Sequence, residues 1–116
     1  MAKSLLLVDD DAQILETAQD ILEAAGFEVR VAGTGAAALD RLREQPCRVM
    51  VVDYNLPDTT GVELALQAQA LCPSMVVLLM TGEADVELGP ARGAIRAVLT
   101  KPVDPAALIE ILRQNS

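Results

Sequence analysis

Apolar and polar positions in this chain follow two alternating patterns. Leu5-Leu6-Leu7-Val8, Val49-Met50-Val51-Val52, Val76-Val77-Leu78-Leu79-Met80 and Ala97-Val98-Leu99-Thr100 are short, partly β-branched runs. They are too short for helices and predict strands buried on both faces, at about Ser4–Val8, Arg48–Val52, Met75–Met80 and Ala97–Leu99. A fifth run, Phe27–Val31, alternates and predicts a short strand. Between these runs apolar residues recur at helical spacing. Ile14, Leu15, Ala18, Ile21, Leu22 and Ala25 make one stripe of a helix from Ala12 to Ala25, closed by Gly26. Thr34 is placed to cap a second helix carrying Ala38, Leu39 and Leu42, which ends before Pro46. A third helix is predicted from Val62 to Leu71, stopping before Pro73. Between Gly82 and Ala94, the residues Gly89, Pro90 and Gly93 oppose a regular helix and predict a short or broken one. Asp104 then caps a last helix with Pro105 in its first position and Ala107, Leu108, Ile111 and Leu112 facing inward.

Strands that alternate with helices define an α/β fold with a parallel sheet. Five β/α units account for residues 1–116 as one domain, without repeats, linkers or low-complexity segments. Right-handed crossovers, and a site shared by strands one, three, four and five, require the strand order 2-1-3-4-5. Helices then cover both faces, in three layers.

Composition narrows the chemistry. Apolar residues make up 52% of the 116, enough for a real core. Phe27 and Tyr54 are the only aromatics, so platforms for stacking bases are missing. A net charge of −8 opposes phosphate-backbone binding and excludes direct nucleic-acid recognition by this domain. No apolar stretch approaches the ~20 residues that span a bilayer, and Met1-Ala2-Lys3-Ser4 leads into a strand without the design of a signal peptide. Cys47 and Cys72 lack metal-ligand spacing and read as small apolar thiols in a reducing cytosol. The expected location is cytoplasmic.

The candidate chemistry lies where the apolar runs end. Asp9 and Asp10 follow the first run, Asp53 the third strand, Thr81 the fourth and Lys101 the fifth. In an open parallel sheet these carboxyl ends line the crevice where ligands bind. Three carboxylates resist joint ionisation at close range unless a cation neutralises them, and hard oxygens with room for water suit Mg²⁺. Asp53 is a candidate nucleophile toward phosphorus, with Lys101 and the Thr81 hydroxyl neutralising the transferred group. Asp11 reads as a helix cap, and Gly82 as a place where backbone can approach an anion.

Four segments carry a family resemblance: Leu6-Leu7-Val8-Asp9-Asp10-Asp11, Val52 through Gly61, Met80-Thr81-Gly82 and Leu99-Thr100-Lys101-Pro102. In this order they resemble the receiver domain of two-component response regulators, over essentially the whole chain. The resemblance implies a flavodoxin-like doubly wound (βα)5 sandwich. Asp9, Asp10, Asp53 and the main-chain carbonyl of Asn55 would hold Mg²⁺. Asp53 would accept a phosphoryl group from a histidine kinase or histidine phosphotransfer protein, and Thr81 and Lys101 would contact it. The Lys101–Pro102 bond would be cis. The chain would thus be a phosphoacceptor switch rather than an enzyme, acting on an output domain or downstream protein or by forming a homodimer on activation. Receivers often join a linker where this chain reads Arg113-Gln114-Asn115-Ser116.

Two departures stand out. Val98 occupies the position where the family usually has a switching Tyr or Phe, and the Gly/Pro-rich 89–93 segment replaces the fourth helix. By the same resemblance, Asn55 and Glu83 would flank the approach of water to phosphorus, and a polar pair there implies rapid loss of the phosphoryl group. Glu83 could alternatively cap a following helix. A phosphatase with an aspartate nucleophile would need a second aspartate where Asn55 stands. A flavin-binding module would need aromatics and a Gly-rich loop. A pseudo-receiver that binds partners without phosphorylation would not need so complete a site.

Overall fold

The computed structural model describes residues 3–83 and 85–115. The expectations placed on Met1-Ala2 and on Ser116 lie outside the described residues. Among the described residues, ten elements alternate along the chain. These are β1 (Lys3–Val8), α1 (Ala12–Ala24), β2 (Phe27–Ala32), α2 (Gly35–Glu44), β3 (Val49–Asp53), α3 (Gly61–Leu71), β4 (Val76–Thr81), a 3-10 turn (Gly89–Gly93), β5 (Ala97–Thr100) and α4 (Pro105–Gln114). The five strands form one parallel sheet in the order β2-β1-β3-β4-β5, as expected. Among the described residues, no helix is long and apolar enough to cross a membrane.

Because side chains alternate across a strand, the sheet splits its apolar residues between two cores. Leu6, Val8, Met50, Val52, Val77 and Leu79 face α2, α3 and the 3-10 turn. Leu5, Leu7, Val49, Val51, Leu78 and Met80 face α1 and α4, where Leu22, Leu108 and Leu112 complete the layer. Small residues of α3, Ala65 and Ala68, are wholly buried against the sheet. Helix ends follow local chemistry. The side chains of Asp11, Thr34, Thr60 and Asp104 each accept backbone N–H groups at a helix start. Gly26 takes φ 100° after α1, a conformation L side chains rarely adopt.

The structure corrects the sequence reading in four places. β5 is half-buried and ends exposed rather than being buried on both faces, because it is an edge strand beside a segment with no full helix to cover it. Asp53 and Thr81 are the last residues of their strands rather than following them. Ala107, expected to face inward, is exposed, because α4 turns Leu108 and Leu112, flanked by the half-buried Ile109 and Ile111, toward the sheet. Ile14 is 45% exposed, at the mouth of an apolar groove of about 620 Å³ between α1 and α4, lined also by Ala18, Pro102, Val103 and Leu108. The broken fourth helix is present as the 3-10 turn, with Gly89 at φ 53° and Pro90 within it.

Candidate functional site

Register brings the polar strand ends together. Val8 pairs with Val52, Asp53 with Met80, and Thr81 with Thr100, so the residues at and just beyond these pairs lie side by side. Asp9 is buried (2% exposed) after β1, and its Oδ1 accepts the Asp11 N–H at 3.0 Å. Asp10 beside it is exposed. Asp53 is buried at the end of β3. One carboxylate oxygen from each of Asp9, Asp10 and Asp53 lies within 4.8 Å of the others.

Lys101 joins them from the end of β5. Its Nζ is 3.0 Å from Asp53 Oδ1 and 3.5 Å from Asp9 Oδ2. The Lys101–Pro102 peptide is cis. Thr81 is buried, and its Oγ1 accepts the Glu83 N–H at 3.2 Å. A hydroxyl that accepts keeps its own hydrogen free to donate. At Gly82 nothing lies within 4 Å of where a Cβ would stand, so the space beside Thr81 is open.

Burial pushes the Asp9 carboxyl above its ordinary value of 3.8, against the opposing pull of the Asp11 N–H and the Lys101 charge. Burial by itself would lower Lys101. The hydrogen bond to Asp53 and the charges of Asp9 and Asp53 outweigh it and hold the ammonium above 10.5. Lys101 is therefore charged at neutral pH. Three carboxyl groups and a single ammonium share a small volume. That balance and the all-oxygen donor set fit a hard divalent cation such as Mg²⁺.

The loop after β3 closes on itself. Leu56 N–H donates to Thr59 O (3.1 Å), Gly61 N–H to Tyr54 O (2.7 Å), and Asn55 bridges Thr60. A Cβ at Gly61 would lie 2.5 Å from the carbonyl oxygen of Asp53 and 2.8 Å from Leu79 Cδ1. Only glycine lets α3 begin so close to the phosphoacceptor candidate. At the loop's tip the Asp58 carboxylate accepts the N–H groups of Gly35 (2.8 Å) and Ala36 (3.0 Å) at the start of α2. These bonds hold its carboxyl below the usual value. Sequence reasoning missed this contact, because its partners are more than twenty residues apart and no local pattern announces it.

The remaining expectations divide. Asp11 caps α1, accepting from Gln13 (3.0 Å) and Ile14 (3.2 Å). Glu83 is exposed, and the next helical segment among the described residues is the 3-10 turn that begins at Gly89. Val98 is half-buried, paired with Leu79 and packed on the same core as Tyr54, Val86 and Leu88. Cys47 and Cys72 are free and buried.

A five-stranded parallel sheet in this order, with acidic residues and a lysine at its carboxyl edge, defines the response-regulator class of α/β proteins. The chain belongs to the response regulator receiver domain family, whose model matches residues 5–113. It is 36% identical over 102 residues to the response regulator receiver protein CpdR of Brucella abortus, covering 86% of this chain and 85% of that protein. It is 39% identical over 106 residues to the transcriptional regulatory protein CreB of Escherichia coli, covering 89% of this chain but only 46% of CreB. A CheY-like receiver domain from Methanospirillum hungatei superposes with a TM-score of 0.92 at 34% identity, covering 98% and 93% of the two chains.

Proposed function

We propose that this chain, all 116 residues as one unit, is a phosphoacceptor switch in which Asp53 takes a phosphoryl group from a histidine kinase or histidine phosphotransfer protein. The observation that carries the reading is the convergence of three carboxylates within 4.8 Å of one another with an ammonium 3.0 Å from Asp53. The protein is a partner in transfer to itself rather than an enzyme acting on a separate substrate.

Asp9, Asp10, Asp53 and the Asn55 carbonyl would hold Mg²⁺, which when bound supplies charge neutralisation to the donor's phosphoryl oxygens. The Lys101 ammonium, 3.0 Å from Asp53 Oδ1, fixes the position of the attacking carboxyl group. An Asp53 oxygen attacks phosphorus, the bond from phosphorus to the donor's nitrogen or oxygen breaks, and the leaving group keeps that electron pair. An acyl phosphate remains on Asp53. Lys101 then shifts its bond from the Asp53 carboxylate to a phosphoryl oxygen, and the Thr81 hydroxyl donates to another. The apolar groove beside Lys101, with Ile14 at its mouth, is a surface that a donor protein would cover while delivering the group.

Asn55 and Glu83 flank the approach of water and set the lifetime of the acyl phosphate. Val98 has no ring to swing, so the response runs through the segment beyond Thr81. It reaches an output domain, a downstream protein or a second copy of the chain, in the cytoplasm. The test is intact-mass spectrometry with a small phosphodonor such as phosphoramidate. A single added phosphoryl group is expected with Mg²⁺, absent with chelator and absent in Asp53→Ala. Phosphorylation of folded Asp53→Ala to the wild-type extent would overturn the reading.

A further inference from the structure

The phosphoacceptor's loop is a closed turn whose base is fastened to the sheet. Tyr54 N–H donates to Met80 O (2.8 Å), and Gly61 packs against Asp53's own carbonyl. Its tip, in contrast, leans away from β3 toward a different helix. Asp58 meets that helix with both carboxylate oxygens, one on the N–H of Gly35 and one on that of Ala36. The approach is close enough that a Cβ at Gly35 would stand 2.5 Å from Thr59 Cγ2. Glycine at the first position of α2 is therefore what lets the loop lie against it.

Two devices thus act on the α2 start. Thr34 caps it from within, its Oγ1 accepting the Ala37 N–H at 3.0 Å. Asp58 takes two other free N–H groups from across the fold. A carboxylate is favoured there, since the first N–H groups of a helix lack internal partners and carry the positive end of its dipole. If helix stability were all that was served, Thr34 and Asp58 would be interchangeable. They differ in what else they hold: Asp58 is part of the loop that contains Asn55, and Thr34 is not.

We infer that Asp58 is a positioning residue for the metal-dependent phosphorylation of Asp53, anchoring the 54–61 loop to α2 so that the Asn55 carbonyl stays beside the carboxylate cluster. The inference rests on the function proposed above. Asp58 touches neither metal nor phosphoryl group. It acts by limiting the positions Asn55 can take, as groups behind a metal's direct ligands commonly do.

The experiment compares Asp58→Ala, Asp58→Asn and Thr34→Ala with the wild-type chain. Mg²⁺ affinity is read by titration calorimetry, phosphorylation by mass spectrometry with phosphoramidate, and stability by urea unfolding. Asp58→Ala should raise the Mg²⁺ Kd about tenfold and slow phosphorylation at low Mg²⁺. Its rate at saturating Mg²⁺ should approach that of the wild type. Asp58→Asn keeps one acceptor oxygen and should fall between. Thr34→Ala should lose stability while its Mg²⁺ affinity stays at the wild-type value. Unchanged affinity in folded Asp58→Ala, or an equal loss in Thr34→Ala, overturns the positioning role. A wild-type chain that takes no phosphoryl group overturns the proposed function instead, and the Mg²⁺ titrations alone then decide whether the loop anchor exists.

Discussion

The two sides of the sheet's carboxyl edge are built to different standards. On the β1–β3 side, Asp9 and Asp53 are buried, Asp11 caps α1, and the 54–61 loop is closed by its own hydrogen bonds and fixed by Asp58. On the β4–β5 side, five residues of 3-10 turn replace a helix, β5 is half-exposed, and the 88–95 stretch is joined mainly by short-range bonds such as Ala94 N–H to Ala91 O (2.9 Å). The site draws on both. The clustered carboxylates come from the firm side, while Thr81 and Lys101 come from strands whose connection is lightly supported. Transfer chemistry needs fixed geometry, whereas a switch needs a segment that can shift at low cost. The difference between the two sides matches that division of labour.

The strongest way to break this comparison is to make the same change on each side. Gly61→Ala forces a Cβ against the Asp53 carbonyl and should cost about 2–3 kcal/mol in stability. Gly93→Ala meets nothing within 4 Å at a φ open to alanine and should be neutral or stabilise by up to about 1 kcal/mol. Urea unfolding of both variants checks this, and similar losses in the two would erase the distinction.

Next in size is the division between ligands and counter-charge. Asp10→Asn should weaken Mg²⁺ binding and phosphorylation together, each by about tenfold. Lys101→Ala should slow phosphorylation but leave Mg²⁺ affinity intact or higher, since it removes a competing positive charge 3.0 Å from Asp53. Calorimetry separates the two roles, and equal loss of affinity in both variants would count against them.

A smaller effect, of about severalfold, is expected in the lifetime of the acyl phosphate. Asn55→Met and Glu83→Leu place apolar bulk on either side of the water's path and should both slow decay. Following the phosphorylated mass over time after donor removal measures it, with unchanged decay in both as the contrary outcome.

The smallest effect on chemistry is predicted at position 98. Val98→Tyr adds a ring near the cavity of about 620 Å³ lined by Tyr54, Thr81, Gly82 and Val86. It should leave the phosphorylation rate within about twofold while altering the interaction of the phosphorylated chain with its partner or second copy. Abolished phosphorylation in a folded variant would place position 98 in the reaction rather than the relay.

Much of this molecule was legible before its fold. Strand runs ending in Asp, Thr and Lys already implied a shared crevice, because apolar runs of that length are buried strands and parallel strands present their carboxyl ends together. Caps at Asp11, Thr34 and Asp104, the stop at Gly26 and the failed helix at Gly89–Gly93 follow from local backbone chemistry. What the sequence could not determine is what depends on neighbours distant in the chain. The exposure of β5 follows from its edge position beside a missing helix, and that of Ala107 and Ile14 from which faces of α4 and α1 reach the sheet. The ion pairs of Lys101 with Asp9 and Asp53 join residues brought together only by strand register. Asp58 reads locally as a turn residue, and its bonds to Gly35 and Ala36 exist only because the loop after β3 folds back onto the start of α2. Local propensity acts over a few residues, and the site's finer geometry is set by contacts that no short window contains.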